Sequence, residues 1–278
     1  MKPFLKWAGG KSRIVDRIKA ILPHGERLVE PFVGSGALFL NSDFPAYLLA
    51  DANIDLINCY LQLQQGGMEF VRRCEEFFAP AYNQSDVYYD VRQRFNATQD
   101  PVDKAAMFVY LNRHGYNGLC RYNASGGFNV PFGRYARPYF PRAEMEHFWR
   151  RSARCEFIVA DFIATMQATA IGDVVYCDPP YVPLSATASF THYSADGFGL
   201  ERQRKLAREA ASLASRGVPV VISNHDLPFT REIYANADEI ACFNVRRHIS
   251  CDGNNRTHAA ELLAVYRAKA FATGQSSA

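Results

Sequence analysis

Stretches of largely apolar residues alternate along the chain with stretches in which apolar residues recur every three or four positions. The first kind predicts buried strands of a mostly parallel sheet, and the second predicts amphipathic helices. Strands are predicted at residues 27–30, 47–50, 156–160, 174–177 and 218–223. Helices are predicted at residues 11–22, 54–64, 69–78, 87–95, 102–111 and 200–215. The alternation of strand and helix predicts an α/β fold.

Turn residues limit several of these elements. The helix that begins at residue 54 is expected to stop at Gly66-Gly67. A glycine turn after the first strand is expected to open a helix at residues 37–40. Two strands near the end of the chain, residues 239–245 and 261–266, are predicted to pair around a loop at residues 250–257.

Composition limits the kinds of protein that this chain could be. The 278 residues, 48% apolar and 21% charged, can bury a large core as one α/β domain with an insert. The 7 cysteines are odd in number and widely spaced, without a C-x-x-C pair, which indicates reduced thiols rather than disulfides or a zinc site. No signal peptide and no long apolar run is present. We therefore expect a cytoplasmic protein that binds neither membrane nor metal.

The strand predicted at residues 174–177 is followed directly by Asp-Pro-Pro-Tyr, residues 178–181, hereafter the D-P-P-Y turn. Ligands of open α/β sheets bind at the carboxyl ends of the strands. The two prolines stiffen this turn, and its carbonyls are expected to be unpaired and to point outward. With the Asp178 carboxylate they could accept both N–H bonds of an exocyclic amine, while Tyr181 stacks on its ring. Alone, the motif is equally compatible with a strand that ends in a turn.

A second candidate site follows the first strand, where residues 31–36 form a glycine-bearing turn. Such a turn lets the backbone come close to a cofactor. Asp51 ends the next strand, 17 residues after Gly34, near the spacing at which an acidic side chain meets a ribose hydroxyl. The missing third glycine disfavours a nicotinamide-binding fold. Gly9-Gly10-Lys11-Ser12 lacks the glycine that opens a phosphate loop, which argues against an ATPase.

Three blocks, residues 4–11, 30–36 and 178–181, resemble in content and order the DNA adenine-N6 methyltransferases of the α group, the D12 class. Residues 112–123 resemble the bacterial Dam methylases, which modify the adenine of GATC. The similarity covers roughly residues 3–267.

This resemblance implies a Rossmann-like, S-adenosylmethionine-dependent methyltransferase domain with an inserted DNA-recognition domain, which contains helices and a β-hairpin. The implied catalytic domain comprises residues 1–56 and 144–270, and the insert residues 57–143. Residues 271–278 are expected to form a flexible tail.

The same resemblance implies the cofactor and the catalytic residues. S-adenosyl-L-methionine is the implied cofactor, and its implied contacts are Trp7, Lys11, Phe32, Gly34, Gly36, Asp51 and Asp178. The adenine would be held by Asp178, Pro179, Pro180 and Tyr181. Because an aspartate carboxylate is a weak base, Asp178 is expected to accept a hydrogen bond rather than act as a general base.

Double-stranded DNA is the implied partner, and one segment concentrates positive charge. Residues 112–142 hold five arginines and no Asp or Glu, interleaved with aromatic residues and broken by turn signals, which suggests a β-hairpin laid against a duplex. By resemblance Arg121 reads a guanine, Lys6 reaches another, and Leu119 and Pro131 contact a thymine methyl group. Tyr116 and Asn117 would fill the gap left by the flipped adenine. The remaining expected DNA contacts are Arg92, Arg113, Asn123, Asn129, Arg134 and Tyr135.

Other functions stay open at this point. A glutamine-N5 methyltransferase is disfavoured, because that family resembles N-P-P-Y with a shorter gap, whereas Asp178 lies 142 positions after Gly36. An RNA adenine methyltransferase and a non-catalytic DNA-binding protein of the same fold remain alternatives. The sequence is compatible with an enzyme that acts alone and with one that protects DNA from a partner endonuclease. We expect a monomer without an obligate protein partner.

Overall fold

The computed structural model describes residues 1–182, 198–246 and 258–269. It contains a seven-stranded sheet of order β3-β2-β1-β4-β5-β7-β6. The strands are β1 Arg27–Glu30, β2 Ala46–Asp51, β3 Cys155–Val159, β4 Asp173–Cys177, β5 Val220–His225, β6 Glu239–Arg246 and β7 His258–Tyr266. The pairs β2–β3, β1–β4 and β4–β5 are parallel, whereas β7 runs antiparallel to both β5 and β6. The predicted α/β fold is confirmed. The loop at residues 250–257 and the tail at residues 271–278 lie outside the described residues.

Helices connect these strands. They are α1 Val15–Ile21, α2 Ile54–Glu76, α3 Ser85–Ala97, α4 Pro101–His114, α5 Arg142–Ser152, α6 Phe162–Gln167, α7 Leu200–Ser215 and α8 Pro228–Ile233. Among the described residues, no helix is long and apolar enough to cross a membrane. The chain divides into two compact units: unit 1 comprises Met1–Lys19 and Val33–Val159, and unit 2 comprises Ala20–Phe32 and Ala160–Ala278. The domain limits predicted from the sequence remain a prediction.

Unit 1 is built around aromatic side chains on helices α2 and α5. The Phe148 ring on α5 is fully buried and contacts the rings of Tyr60 at 4.6 Å and Phe4 at 5.2 Å between centroids. Phe157 of β3 stacks on the same ring at 5.8 Å. Aromatic contacts of this kind contribute beyond the buried area itself. The N-terminal segment of the chain is thereby fixed against the helices of this unit.

The predicted stop at Gly66-Gly67 appears as a break within α2, because two helical segments meet at a non-helical Gly67 and the second continues to Glu76. Gly67 adopts φ 51° and ψ −131°, which interrupts the regular helix with a kink. A Cβ atom at Gly67 would lie 2.8 Å from the Trp149 ring. The glycine is therefore needed for the close approach of a tryptophan, and this partner cannot be seen in the local sequence.

The segment after the glycine turn also differs from its prediction. Residues 37–40 do not open an α-helix, and only a single 3₁₀ turn forms at Phe39–Asn41. The Asn41 side chain donates to the Ala37 carbonyl at 2.8 Å and closes this turn locally. Only four residues separate the turn from β2, which leaves no room for a helix. Similarly, the helix predicted at residues 11–22 begins as a 3₁₀ turn, Lys11–Arg13, before α1.

The predicted hairpin in residues 112–142 is irregular. Its turn signals are real, since Asn117 and Gly118 have φ values of 52° and 62° and Gly126 has 79°. Between them, however, only two isolated bridges form, Gly115 with Phe132 and Tyr122 with Phe128. Separate backbone bonds, such as those from the Tyr116 N–H to the Pro131 carbonyl and from the Gly133 N–H to the His114 carbonyl, both 2.8 Å, join the two arms without a regular ladder.

Unit 2 places a fully buried strand before the D-P-P-Y turn. All five residues of β4 are buried, with Leu28 of β1 opposite Val174 and Ile222 of β5 opposite Cys177. At the start of β4, Arg27 forms a bidentate pair with Asp173 through bonds of 2.9 and 2.7 Å. Helix α7 buries an apolar face that includes Leu206, Ala210 and Leu213.

Candidate active site and DNA-contacting surface

The glycine turn of unit 1 is held on both sides of Gly34. Its N–H donates to the Asp51 carboxylate at 3.1 Å, and its carbonyl accepts from the Tyr60 hydroxyl. Gly34 and Gly36 have φ values of 47° and 70°, which favour glycine. Asp51 also accepts from the Asn53 N–H at 2.9 Å. Burial raises the pKa of Asp51, and the backbone N–H donors partly counteract this rise.

Trp7 and Lys11, predicted to contact the cofactor, lie next to this turn. A Cβ atom at Gly34 would be 2.9 Å from Nε1 of Trp7, so the indole rests directly on the glycine. Lys11 is 8% exposed, and its ammonium donates to the Gly9 carbonyl at 2.8 Å. The structure therefore brings Trp7, Gly34 and Asp51 together within unit 1.

Phe32 lies in an aromatic cluster within unit 2. Its ring stacks on Phe162 at 5.5 Å and meets Phe198 edge-on at 5.4 Å between centroids. The Arg202 guanidinium covers both partner rings and pairs with Asp161. Of the two ring partners that sequence reasoning missed, Phe162 carried a signal, because it follows β3 as the D-P-P-Y turn follows β4. Phe198 belongs to no motif.

The D-P-P-Y turn begins at the carboxyl end of β4, as predicted. A hydrogen-bonded chain orients its first residue: the Tyr176 hydroxyl lies 3.0 Å from Oγ of Ser223, and that Oγ donates to Oδ1 of Asp178 at 3.0 Å. Burial raises the pKa of Tyr176, so its hydroxyl stays protonated. Ser223 is itself fully buried on the neighbouring strand β5. Asp178 is half-buried, and Oδ1 of its carboxylate is held by the Ser223 hydroxyl.

The prediction that the carbonyls of this turn are unpaired is wrong for Pro180. Its carbonyl accepts a hydrogen bond of 2.7 Å from Nε2 of Gln203 on helix α7. Tyr181 is also held, because its hydroxyl donates to Glu261 at 3.3 Å and its ring meets His225 edge-on at 4.8 Å. Burial raises the pKa of Tyr181 as well. The turn is fixed by side chains that lie far away in the sequence.

A cavity of about 650 Å³ in unit 2 lies away from this turn. Its lining includes Gly25, Asp173 and Pro219, which mark the amino-terminal ends of β1, β4 and β5. Asp178 follows the opposite end of β4, roughly 17 Å along a strand of five residues. The cavity is therefore separate from the candidate catalytic residues.

Lys6, Asn117 and Tyr135 form one cluster on unit 1. The Lys6 ammonium lies 4.1 Å from the Tyr135 ring centroid, and the Tyr135 hydroxyl accepts from the Asn117 N–H at 2.9 Å. The backbone of Lys6 is fixed because the Asn112 side chain bonds both its N–H and its carbonyl at 2.8 Å. Burial, and then the charge of Arg113, lower the pKa of Lys6. The structure thus joins three predicted DNA contacts from two distant segments.

Arg121 and Asn129 form a second group. The exposed Arg121 side chain donates from Nε to Oδ1 of Asn129 at 2.8 Å and from Nη2 to the Asn129 carbonyl at 3.3 Å. The Asn129 N–H in turn donates to the Arg121 carbonyl at 3.0 Å. Asn123 has a different local role, because its Oδ1 accepts from Ser125 and Gly127 and closes the following turn.

Two of the predicted phosphate contacts are partly used by the fold. Arg113 donates to the carbonyls of Tyr139 at 3.1 Å and Phe4 at 3.4 Å. Burial lowers the pKa of Arg113. Arg92 donates to the Val130 carbonyl at 3.1 Å. These guanidinium groups tie segments of unit 1 together.

The other predicted contacts lie near this surface. Tyr116 is 51% exposed, although its N–H donates to the Pro131 carbonyl at 2.8 Å. Pro131 and Arg134 are exposed, and Leu119 is half-buried. Arg134 has φ 54°, an uncommon value for a residue other than glycine. In the part of the chain that the structure describes, no group of three or more His, Cys, Asp or Glu side chains could hold a metal ion.

Comparison with known proteins identifies the family. The model of the D12 class N6 adenine-specific DNA methyltransferases matches residues 7–249. The chain belongs to this family. It is 52% identical over 266 residues to a DNA adenine methylase of Salmonella typhi, across 96% of this chain and 95% of that protein.

Two further relatives cover similar lengths. The DNA adenine methylase of Escherichia coli strain K12 is 51% identical, across 96% of this chain and 95% of that protein. That of Vibrio cholerae O395 is 47% identical, across 95% of this chain and 96% of that protein. The resemblance seen in the sequence is thereby confirmed, and with it a Rossmann-like methyltransferase fold.

Proposed function

We propose that this chain transfers a methyl group from S-adenosyl-L-methionine to N6 of adenine in double-stranded DNA, at the site GATC. The observation that carries this proposal is the D-P-P-Y turn at the end of a fully buried strand, with Asp178 oriented by Ser223, in a member of this family. The related proteins are DNA adenine methylases, which supports adenine in DNA as the substrate.

The cofactor would bind at the glycine turn. S-adenosyl-L-methionine supplies an activated methyl group on a sulfonium sulfur, so the reaction requires no metal ion. Phe32 and the backbone of Gly34 and Gly36 would line its amino-acid end, while Asp51 would accept from the ribose hydroxyls. Trp7, Lys11 and Asp178 are proposed as further contacts. The fold already holds Asp51 against Gly34, so little reorganisation is needed when the cofactor binds.

The D-P-P-Y turn would hold the adenine amine. The lone pair of an aryl amine is delocalised into the ring, and acceptors on both N–H bonds favour the tetrahedral nitrogen that attacks a methyl group. Asp178 and the Pro179 carbonyl are proposed as these acceptors, with Tyr181 stacked on the base and Pro180 stiffening the turn. Because Ser223 bonds Oδ1 of Asp178, the carboxylate is oriented before the substrate arrives.

DNA recognition would use the two groups on unit 1. The Arg121 guanidinium, aligned by Asn129, would donate to O6 and N7 of a guanine, and Lys6 would reach the other guanine. Leu119 and Pro131 would contact a thymine methyl group. The exposed Tyr116, with Asn117, would fill the space of the adenine, which must leave the duplex at a cost of a few kcal/mol. Phosphate contacts are proposed for Arg92, Arg113, Asn123 and Asn129, and Arg134 and Tyr135 are proposed as further DNA contacts.

A chromosomal substrate agrees with the expected cytoplasmic location, and we propose that a monomer is sufficient. The experiment is transfer of a labelled methyl group to three matched duplexes: DNA with GATC, DNA with the same bases scrambled, and RNA with GAUC. We expect label only in the first duplex. Equal label in both DNA duplexes would contradict the site, and label in RNA alone would favour an RNA methyltransferase. No label in any duplex would indicate a DNA-binding protein without this activity.

A further inference from the structure

A buried amide on helix α7 faces the D-P-P-Y turn. Gln203 is 0% exposed, although the same face of the helix is otherwise apolar, with Leu206 and Ala210. Burying an amide is unfavourable unless its donors and acceptors are paired. Both ends of Gln203 are paired: Nε2 donates to the Pro180 carbonyl at 2.7 Å, and Oε1 accepts from Asn224 at 3.1 Å.

Asn224 on β5 extends the network to the other side of Tyr181. It is 0% exposed, and its Oδ1 accepts from the N–H groups of Val182 at 3.2 Å and His225 at 2.9 Å. Its Nδ2 donates to Gln203 and to the Tyr234 hydroxyl, both at 3.1 Å. A side-chain amide has two donors and two acceptor positions, so Asn224 is fully satisfied in one orientation only.

The network therefore holds the backbone on both sides of Tyr181. The carbonyl before it is bonded by Gln203, the N–H after it by Asn224, and the Val182 carbonyl by Nδ1 of His225 at 2.6 Å. Such a connected network with all members paired is stiffer than its separate bonds suggest. None of its side chains belongs to the motif that it holds.

We infer that Gln203 and Asn224 are positioning residues for methyl transfer, which hold the D-P-P-Y turn in the shape that binds the adenine amine. This inference rests on the proposed function. The two residues act through Pro180 and Val182, since the structure shows them bonded to the backbone on either side of Tyr181. They are expected to affect the rate of transfer more than the affinity for DNA.

The test compares two buried substitutions on the same helix. Gln203→Met keeps the size of the side chain and removes both hydrogen bonds. The control, Leu213→Ala, opens a cavity about 15 Å further along the helix, where it weakens packing without contact to the turn. Two quantities are measured for each protein: amide hydrogen exchange at Val182 without DNA, and the rate of methyl transfer at saturating GATC duplex and S-adenosyl-L-methionine.

For Gln203→Met we expect faster exchange at Val182 and transfer slowed by roughly tenfold to a hundredfold, with DNA affinity within about twofold of the unmodified protein. Leu213→Ala should lower the unfolding midpoint and leave both quantities near their original values. If Gln203→Met does not fold, Gln203→Asn replaces it, because its amide is one methylene too short to bridge Pro180 and Asn224.

The inference is overturned if Val182 exchanges no faster in Gln203→Met than in Leu213→Ala. It is also overturned if exchange accelerates while transfer is unchanged. Failure of the proposed function looks different, because the unmodified protein would then methylate none of the duplexes. In that case hydrogen exchange still decides whether Gln203 holds the turn.

Discussion

At the scale of single residues, Arg113 and Arg121 differ in the hydrogen bonds that they make within the protein. Arg113 donates to two backbone carbonyls, those of Tyr139 and Phe4, which are distant in the sequence. Arg121 is exposed and bonds only locally, to Asn129. A base-reading arginine needs an aligned and accessible guanidinium, and this describes Arg121.

This difference predicts two distinct phenotypes. Arg121→Ala should lose roughly 1–3 kcal/mol of discrimination at one base pair and leave the unfolding midpoint nearly unchanged. Arg113→Ala should lower the midpoint, because it releases two segments of unit 1, and should weaken binding to all sequences alike. Competition between GATC and each single-base variant, together with thermal unfolding, checks both. If Arg121→Ala leaves the ratios of affinity between GATC and its single-base variants unchanged, Arg121 contacts a phosphate rather than a base.

The sequence predicts the positions of residues well where they lie inside a motif. The D-P-P-Y turn does follow a buried strand, and Gly34 and Asp51 do meet. Ser223 and Gln203 were not predicted, because each is an ordinary polar residue in its own segment. Their contacts with the turn arise only when β5 and α7 pack beside β4.

At the scale of elements, Gly67 shows that a pair of glycines can mark a kink between two helical segments. Two adjacent glycines usually end a helix, but here Gly67 lets Trp149 approach the kinked helix α2. Helix α5, Arg142–Ser152, was not predicted because its apolar residues are few and separated by charges. Strands were predicted more reliably, since β4 and β5 are buried on both faces and read as continuous apolar runs.

We expect Gly67→Ala to destabilise the protein by roughly 2–5 kcal/mol, from backbone strain and from overlap with the Trp149 ring. The matched control is Gly126→Ala, where φ is 79° but no atom lies within 4 Å of the new methyl group. That change should cost only about 1 kcal/mol. Urea unfolding of both variants measures the difference. Equal losses of unfolding free energy in the two variants would show that the Trp149 ring moves aside and that backbone strain alone destabilises the protein.

At the scale of the whole molecule, His114 links stability to pH. It is 1% exposed, it lies against the rings of Tyr110 and Phe78, and burial lowers its pKa from 6.5 to about 4. The unfolded chain therefore binds a proton more readily than the native protein between these values. The contribution of His114 is fully present above pH 6.5 and is lost as the pH falls towards 4.

The expected loss over this interval is roughly 3 kcal/mol, because the pKa of His114 falls from 6.5 in the unfolded chain to about 4 in the native protein. His114→Phe fills the same aromatic surroundings without a titrating group and should flatten the dependence. Urea unfolding of both proteins at pH 5 and pH 7.5 measures the effect. If both proteins lose the same unfolding free energy between pH 7.5 and pH 5, groups other than His114 cause the acid sensitivity.

The order of strands in the sheet is the part of the whole fold that local sequence could not predict. Apolar runs mark β1, β4 and β5, but each could pair with any other run of similar length. The motif blocks do not state which strand lies beside which. The pairing of β6 with β7 was predicted and is confirmed, whereas the place of β7 between β5 and β6 has no local signal.

The most direct test of the account is the amount of N6-methyladenine that forms in a GATC duplex in a single turnover, with the unmodified protein and with Asp178→Ala. We expect N6-methyladenine at the GATC adenine with the unmodified protein. Asp178→Ala should slow its formation by at least roughly two orders of magnitude. Its DNA affinity and unfolding midpoint should change little, because phosphate contacts dominate binding. A folded Asp178→Ala protein that methylates at the original rate would contradict the claim that the D-P-P-Y turn holds the amine.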